Sequence, residues 1–550
     1  MSKEKFIEEI NKAYTYKGDY LTMGGIALNG QAIPGLHTKI ALRSLNRHGL
    51  IAGATGTGKT KTLQVMAEQM SLKGIPCLLM DIKGDLSGLA AEGSSNDFID
   101  KRHQAIELAY EPRKLPVELM SLSEGPGVRM KATVSEFGPV LLSKIMGLND
   151  TQSSVISMLF VYCDTQKMPL LDLKDLRKVL QYVSSEGKEE LEKEYGSISP
   201  ATVNAIMRKV IELEQQGADR FFGERSFEPK DLLRKDQEGN GMISIVRLMD
   251  IQNKPKLFST FMLCLLAEIY ESFPEEGDLD KPKLCIFIDE AHLVFKEASR
   301  ALLDQLEVVI KLIRSKGVGV FFCTQDPTDV PEEILSQLGL KVQHALRAFT
   351  EKDRKAIKRT AENYPISDYY EADRLITELG IGEAMLTSLN EKGIPTPLVS
   401  LICRAPLSRM DILSEQEVKN LVDASEIAGK YNEEIDSNSA YEILTAKLEK
   451  ASEQEHRERI EEQQAKEAEI LEEKERKELE HLKKEEEKRK KEEERELKRL
   501  RLEAEREKKR QEREKAKMWK DIAKAATRST KSNSLVSVIT RGILGVLGIK

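Results

Sequence analysis

Aromatic residues are scarce in this 550-residue chain, at 5% of the total, while 32% of its residues are charged. That composition is too polar for one uniform globule, although the length allows two to four domains and a large core in part of the chain. No apolar run approaches the ~18 residues needed to span a bilayer. The N-terminus, Met1-Ser-Lys-Glu-Lys-Phe-Ile-Glu-Glu-Ile10, is charged where a secretory signal would be apolar. The six cysteines (Cys77, Cys163, Cys264, Cys285, Cys323, Cys403) lack paired spacing, and most lie in apolar runs. This argues against a disulfide framework or a zinc site and for small buried hydrophobes in a reducing compartment. Together these absences predict a cytoplasmic protein with no membrane span. A strong net charge is missing too: at −7 the chain is not basic throughout, so a nucleic-acid footprint would have to be a local patch.

The charge that is present is concentrated. Residues from about 445 to 517 are almost wholly Glu, Lys, Arg and Gln, and the rest reads as ordinary globular sequence. Residues 1–45 form a lead-in whose apolar runs, broken by Gly24-Gly25, Gly30 and Pro34-Gly35, suggest one helix and then small strands. Over 46–140 and again over 236–406, strands alternate with helices. His48-Gly-Leu-Ile-Ala-Gly53 is a strand entering a glycine loop, 60–72 is helical, and 75–80 is a continuous apolar run ending at Asp81. Further strands are expected at 241–248, 283–289, 318–324 and 342–348, with helices at 256–270 and 302–315. The alternation predicts an α/β fold with a parallel sheet covered on both faces. Residues 141–235 have a helical period and are expected to form an insertion, 367–406 to add small β and loop structure, and 407–444 to form a helical linker.

Gly53-Ala54-Thr55-Gly56-Thr57-Gly58-Lys59-Thr60 matches the phosphate-loop pattern G-x-x-x-x-G-K-[ST] in full, between an apolar strand and a helix that begins with Thr60 and Lys61. Phosphate binding needs inward-facing backbone N–H groups that side chains would obstruct, hence the three glycines. Lys59 supplies a point charge to the β- and γ-phosphates of ATP, the Thr60 hydroxyl ligates Mg2+, and the helix N-terminus faces the anion.

Leu284-Cys-Ile-Phe-Ile-Asp289-Glu290-Ala-His292 is a buried strand delivering two adjacent carboxylates at its end. Asp289 would hold Mg2+ through water, and Glu290 would polarise the attacking water, which argues for turnover over binding alone. A further apolar strand, Val318-Gly-Val-Phe-Phe-Cys-Thr324, ends at Gln325, placed to sense the γ-phosphate or merely to cap the strand. The string Asp-Glu-Ala-His would suit a DEAH helicase, but no second parallel-sheet domain is expected after 406, and His292 reads as a packing residue.

The segment Asn46-Arg-His-Gly-Leu-Ile-Ala-Gly-Ala-Thr-Gly-Thr-Gly-Lys-Thr-Lys-Thr-Leu63, with Met80-Asp-Ile-Lys-Gly-Asp-Leu-Ser-Gly-Leu89, resembles the HerA-like P-loop ATPases of the HerA/FtsK superfamily, most of all the bacterial YjgR group. Lys341-Val-Gln-His-Ala-Leu-Arg347-Ala-Phe and Thr540-Arg-Gly-Ile-Leu-Gly-Val-Leu-Gly548 add to the resemblance, which covers essentially the whole chain. It implies a RecA-like sheet, a homo-oligomeric, hexameric ring, and ATP-driven translocation or remodelling of DNA. It also implies Gln325 as the γ-phosphate sensor and Arg347 as a finger reaching a neighbouring subunit; Arg314, late in the helix expected at 302–315, is the second choice by position. One departure is that the 45 residues before the P-loop strand leave little room for the small β-barrel of archaeal members.

In the charged arm, Leu471, Leu479, Leu482, Leu497 and Leu500 are too sparse for a coiled-coil seam. Pairs such as Glu473→Lys477 and Glu486→Lys490 have the spacing that supports a solvated single helix, with weak coiled-coil association as the alternative. The apolar tail over 521–550 could dock on its own ring, lie at a membrane surface or bind a protein partner. The leading expectation is therefore a ring-forming ATPase acting on DNA. The alternatives are an ATP-regulated assembly scaffold or a protein-remodelling ATPase.

Overall fold

The computed structural model describes residues 3–526 apart from 123–124, 253, 278 and 296–299. It separates into two compact units, Met1–Glu449 and Lys450–Lys550. The first is built on a sheet of β1 (Tyr20–Leu28), β2 (Gln31–Ala41), β3 (Gly49–Ala52), β4 (Cys77–Asp81), β5 (Val117–Ser121) and β6 (Val128–Arg129). The later strands are β7 (Ile243–Arg247), β8 (Leu284–Ile288), β9 (Val318–Thr324), β10 (Leu340–Gln343), β11 (Glu383–Thr387) and β12 (Val399–Cys403). They are ordered β2-β1-β12-β11-β10-β3-β9-β8-β4-β7-β5-β6. From β10 to β6 every pairing is parallel. From β10 to β2 every pairing is antiparallel.

The central strands are continuous apolar runs because both faces are covered. Successive residues point to opposite faces, so Leu78, Met80, Ile286, Ile288, Val320 and Phe322 enter one hydrophobic cluster. Their neighbours Cys77, Leu79, Cys285, Phe287, Phe321 and Cys323 enter the other. The first face is covered by the helices Pro255–Ser272 and Arg300–Ile313, the second by Lys59–Leu72. Each fully buried large side chain contributes roughly 1.5–3 kcal/mol. All six cysteines are buried and none is in a disulfide.

Between β6 and β7 the chain runs through Val134–Met146, Asp150–Thr165, Leu173–Ser184, Lys188–Tyr195 and Pro200–Gln215. Capping boxes at Thr133, Asn149 and Asp172 fix where three of these helices start.

Two expectations are corrected. The strand expected at 342–348 is β10, Leu340–Gln343, and the chain beyond it turns away to reach the helix Glu351–Ala361. The small N-terminal strands are strands of 9 and 11 residues, which extend the main sheet through the β1–β12 pairing. The sheet is accordingly mixed, not wholly parallel. Residues 407–444 contain two short helices, Glu415–Asp423 and Ala428–Asn432, whose Val418 and Tyr431 are buried in the cores.

Ala440–Ala526 is one helix of 87 residues. Its first turns belong to the first unit, where Ser439 Oγ bonds Asp175 and Leu444 is buried. From 452 to 518 it is exposed and carries i,i+4 ion pairs such as Glu473–Lys477 and Glu486–Lys490. No described helix is long and apolar enough to cross a membrane. Residues after 526, including most of the apolar tail, lie outside the described residues.

Candidate active site at the carboxyl edge of the sheet

The strand order brings the candidate residues together. Side by side at the carboxyl edge stand the ends of β10, β3, β9, β8 and β4. They deliver in turn His344, the glycine loop, Gln325, the Asp289-Glu290 pair, and Asp81 with Lys83.

The loop is held by its neighbours. Gly53 N–H donates to Thr324 O (3.2 Å) and Ala54 N–H to Ala345 O (2.8 Å), tying it to the strands on both sides. Gly53 has φ +152°, and a Cβ there would lie 2.5 Å from the His344 Cβ, so no other residue fits. Thr57 O accepts from Gly382 N–H (3.0 Å), and the Lys59 ammonium donates to Ala54 O (3.0 Å). Lys59 is buried; burial first and the Lys83 charge second pull its pKa below the usual lysine value. Thr60 is half-buried in the first helical turn. The Lys61 side chain donates to Met410 O (2.6 Å).

Asp289 and Glu290 are 3% and 4% exposed. Burial pushes the Asp289 carboxyl up to about 7, with Lys83 opposing and Glu290 adding to the rise. Asp289 Oδ2 has no hydrogen-bond partner. A buried carboxylate oxygen left unsatisfied costs about 1–3 kcal/mol or more, so this atom fits a cation or its bound water. Glu290 adopts φ +47°, the left-handed region a non-glycine residue avoids, at the turn that aims it into the site. Its carboxylate is engaged by the Lys83 ammonium, by His292 Nδ1 (3.1 Å) and by Gln325 Nε2 (3.2 and 3.3 Å). Burial works to raise its pKa, but Lys83 and Gln325 hold it below the usual glutamate value.

Gln325 also links the acids to the loop, since its Oε1 accepts from the Thr55 hydroxyl at 3.0 Å. His292 touches Glu290 and is thus part of this group, not a remote packing residue.

Arg347 lies four residues beyond the end of β10, the strand next to β3. It is exposed, and its guanidinium donates to Thr377 O (2.9 Å) and Leu379 O (3.4 Å) of its own chain. The structure does not bring it into the Lys59–Glu290 group.

Two residues gain roles that the sequence did not give them. Lys83 reaches Glu290 because β4 neighbours β8. His344 donates from Nδ1 to Glu383 O (2.8 Å) and accepts at Nε2 from the Thr62 hydroxyl (2.9 Å), fixing its tautomer. Burial lowers its pKa to about 4, so it is a neutral strut between the P-loop helix and β11. Both stand in segments of the family resemblance, 80–89 and 341–349, which was the available signal.

A family model described as "Helicase HerA-like C-terminal" matches residues 28–550. The DNA double-strand break repair helicase HerA of Sulfurisphaera tokodaii is 21% identical over 371 residues, 64% of this chain and 64% of that protein. The HerA helicase of Sulfolobus acidocaldarius is 22% identical over 382 residues, 66% of each chain. The match thus spans slightly under two thirds of either relative. Among solved structures, the plasmid coupling protein TrwB in complex with ADP and Mg2+ is 14% identical with a TM-score of 0.46, covering 74% of this chain and 99% of that one.

Proposed function

The chain belongs to the HerA-like helicase C-terminal family, and on that premise we propose that it is a Mg2+-dependent ATP hydrolase that works on DNA as a ring, in the cytoplasm. The observation that carries the hydrolase reading is the hydrogen-bonded path Thr55–Gln325–Glu290, which couples the glycine loop to a buried carboxylate two strands away. Binding alone would not need that carboxylate.

Gly53 to Lys59 cradle the phosphates, with Lys59 turning from Ala54 O to the β/γ oxygens. Thr60 and Asp289 would hold Mg2+, which supplies charge neutralisation at the phosphates when bound. Gln325 orients the attacking water, and Glu290 accepts its proton once Lys83 and His292 share its carboxylate less closely. The cation that the transition state still lacks would come from a neighbouring subunit, with Arg347 the first candidate and Arg314 the second.

The test is ATP turnover of the full chain without DNA, with single strands and with duplex, at several salt concentrations. DNA stimulation that weakens with salt is the expected result. Turnover that no DNA alters would remove the DNA reading and leave the hydrolase. For the ring, Arg347→Ala should bind ATP, hydrolyse it poorly, and regain activity when mixed with Lys59→Ala protein. No regain despite subunit exchange would rule out Arg347 as the trans cation.

A further inference from the structure

A group of basic side chains gathers at the other edge of the sheet. Arg47 and His48 precede β3, Arg314 precedes β9, and Lys341 is the second residue of β10. Because β3, β9 and β10 run parallel and the glycine loop follows β3, these residues lie across the sheet from it. A four-residue strand makes that separation roughly 13 Å. With Lys311 and Ser388 they line a cavity of about 480 Å3. Among the described residues, no aspartate or glutamate lines it.

The charges are unevenly matched. Lys311 is paired with Glu307. The Arg47 side chain makes no hydrogen bond or ion pair with a described residue. Its guanidinium lies over Gly393, where an added Cβ would be 3.0 Å from Nη1. Lys341 Nζ donates to one backbone oxygen, Asn363 O, at 3.2 Å. Burial lowers its pKa, with no acid opposing the shift. His48 forms a neutral floor, its Nε2–H given to Ile310 O (2.9 Å) and its Nδ1 accepting from Val320 N–H (3.0 Å). A lysine in a partly dry cavity loses hydration, and a bound anion offsets that loss.

We propose that this cavity is a second phosphate-binding site, separate from the glycine loop, in which Arg47 and Lys341 hold phosphate groups of a nucleic-acid strand or of a free phosphate compound. The two cations present ammonium and guanidinium donors, the pair of chemistries that recognise phosphate oxygens as a point charge and as a fork. The inference does not depend on the assignment of Glu290.

The test uses the full chain with two probes: a fluorescent oligothymidine strand, and inorganic pyrophosphate titrated into Lys59→Ala protein, whose glycine loop no longer competes. In Arg47→Gln/Lys341→Gln, affinity for at least one probe should fall tenfold or more. If the strand is the ligand, the slope of log K against log salt should also shrink by roughly one to two. DNA-independent ATP hydrolysis of the double variant should stay unchanged, which separates failure of this site from failure of the hydrolase reading. Loss for the strand identifies nucleic acid as the source, and loss for pyrophosphate alone identifies a free phosphate compound. Unchanged affinity for both probes in the folded variant overturns the proposal. Should the double variant not fold, Arg47→Gln alone carries the test by the same criteria, since that side chain makes no bond with a described residue.

Discussion

At the carboxyl edge of the sheet, Lys59, Lys83, Asp289 and Glu290 are close enough to set one another's protonation, and both carboxylates are under 5% exposed. Along the helix from Lys450 onward, lysines, arginines and glutamates pair just as regularly, yet the paired side chains stay more than half exposed. Two unit charges 4 Å apart interact by about 1 kcal/mol in water and about 4 kcal/mol near a protein surface of lower dielectric. The same residue types thus shape reactivity in one region and only a local backbone preference in the other. Number of charges is a poor guide to their consequence; burial decides it.

The largest effects should come from breaking the buried group. Lys59→Ala removes the phosphate cation and should abolish nucleotide binding. Glu290→Gln should retain ATP and slow its hydrolysis by roughly 10²–10⁴-fold, the usual contribution of a positioned base. Equilibrium binding and single-turnover hydrolysis separate the two variants. Wild-type turnover in Glu290→Gln would show that the base lies elsewhere.

Next comes Asp289, whose burial should be visible as stability. Its carboxyl rises from the usual 3.8 to about 7 in the fold. The native state therefore binds a proton that the unfolded chain releases between those values. Stability from this group is complete below about pH 4 and is lost as pH climbs through 7, a linkage on the order of 4 kcal/mol. Asp289→Asn should melt higher than the parent protein at pH 8 in the absence of nucleotide, and close to it at pH 4. Parallel melting curves across that range would mean that Asp289 is better solvated than its position implies.

A smaller effect is expected at Lys83. Glu290 is held below the usual glutamate pKa by Lys83 and Gln325, with His292 acting the same way and burial opposing. Removing the ammonium in Lys83→Met should raise that pKa and move the acid limb of the pH–rate profile upward. Turnover would then fall more at pH 6 than at pH 8, about tenfold for each pH unit that the limb moves. A uniform loss at all pH values would instead give Lys83 a role in binding phosphate.

That lysine also marks the limit of what the sequence discloses. The glycine loop and the Leu284–Ile288 strand are legible because each function demands fixed residue types at fixed spacing, and doubly buried strands leave unbroken apolar runs. Val117–Ser121 is not legible as a strand because Pro116 and Glu118 interrupt its pattern, although parallel pairing with β7 holds it. The end of β10 reads five residues late because apolar Ala345 and Leu346 continue the run after the sheet has stopped. Lys83 and His344 depend on strand order. Asp81 and Glu290 are 209 positions apart in the chain but end adjacent strands. Nothing in local sequence states that β4 lies beside β8, or that the residue after β10 will press on Gly53.

The smallest expected effect lies in the exposed helix, and it sharpens the comparison from the other side. If its pairs act only through water, each should contribute ~0.2–0.5 kcal/mol to helix formation. Glu473→Gln removes the carboxylate facing Lys477, a pair 2.9 Å apart with both side chains more than half exposed. In a peptide covering 450–517, that change should lower helicity slightly at low salt and almost not at all at about 1 M salt, where the Debye length is ~3 Å. Circular dichroism at both salt levels and at several peptide concentrations is the measurement. Helicity should fall with salt and be independent of concentration, because Leu479, Leu482, Leu497 and Leu500 are exposed along the helix and too widely spaced to form a seam. Helicity that grows with concentration would mean that a partner helix supplies the burial this segment lacks. The contrast would then be between charges buried within one subunit and charges buried only on assembly.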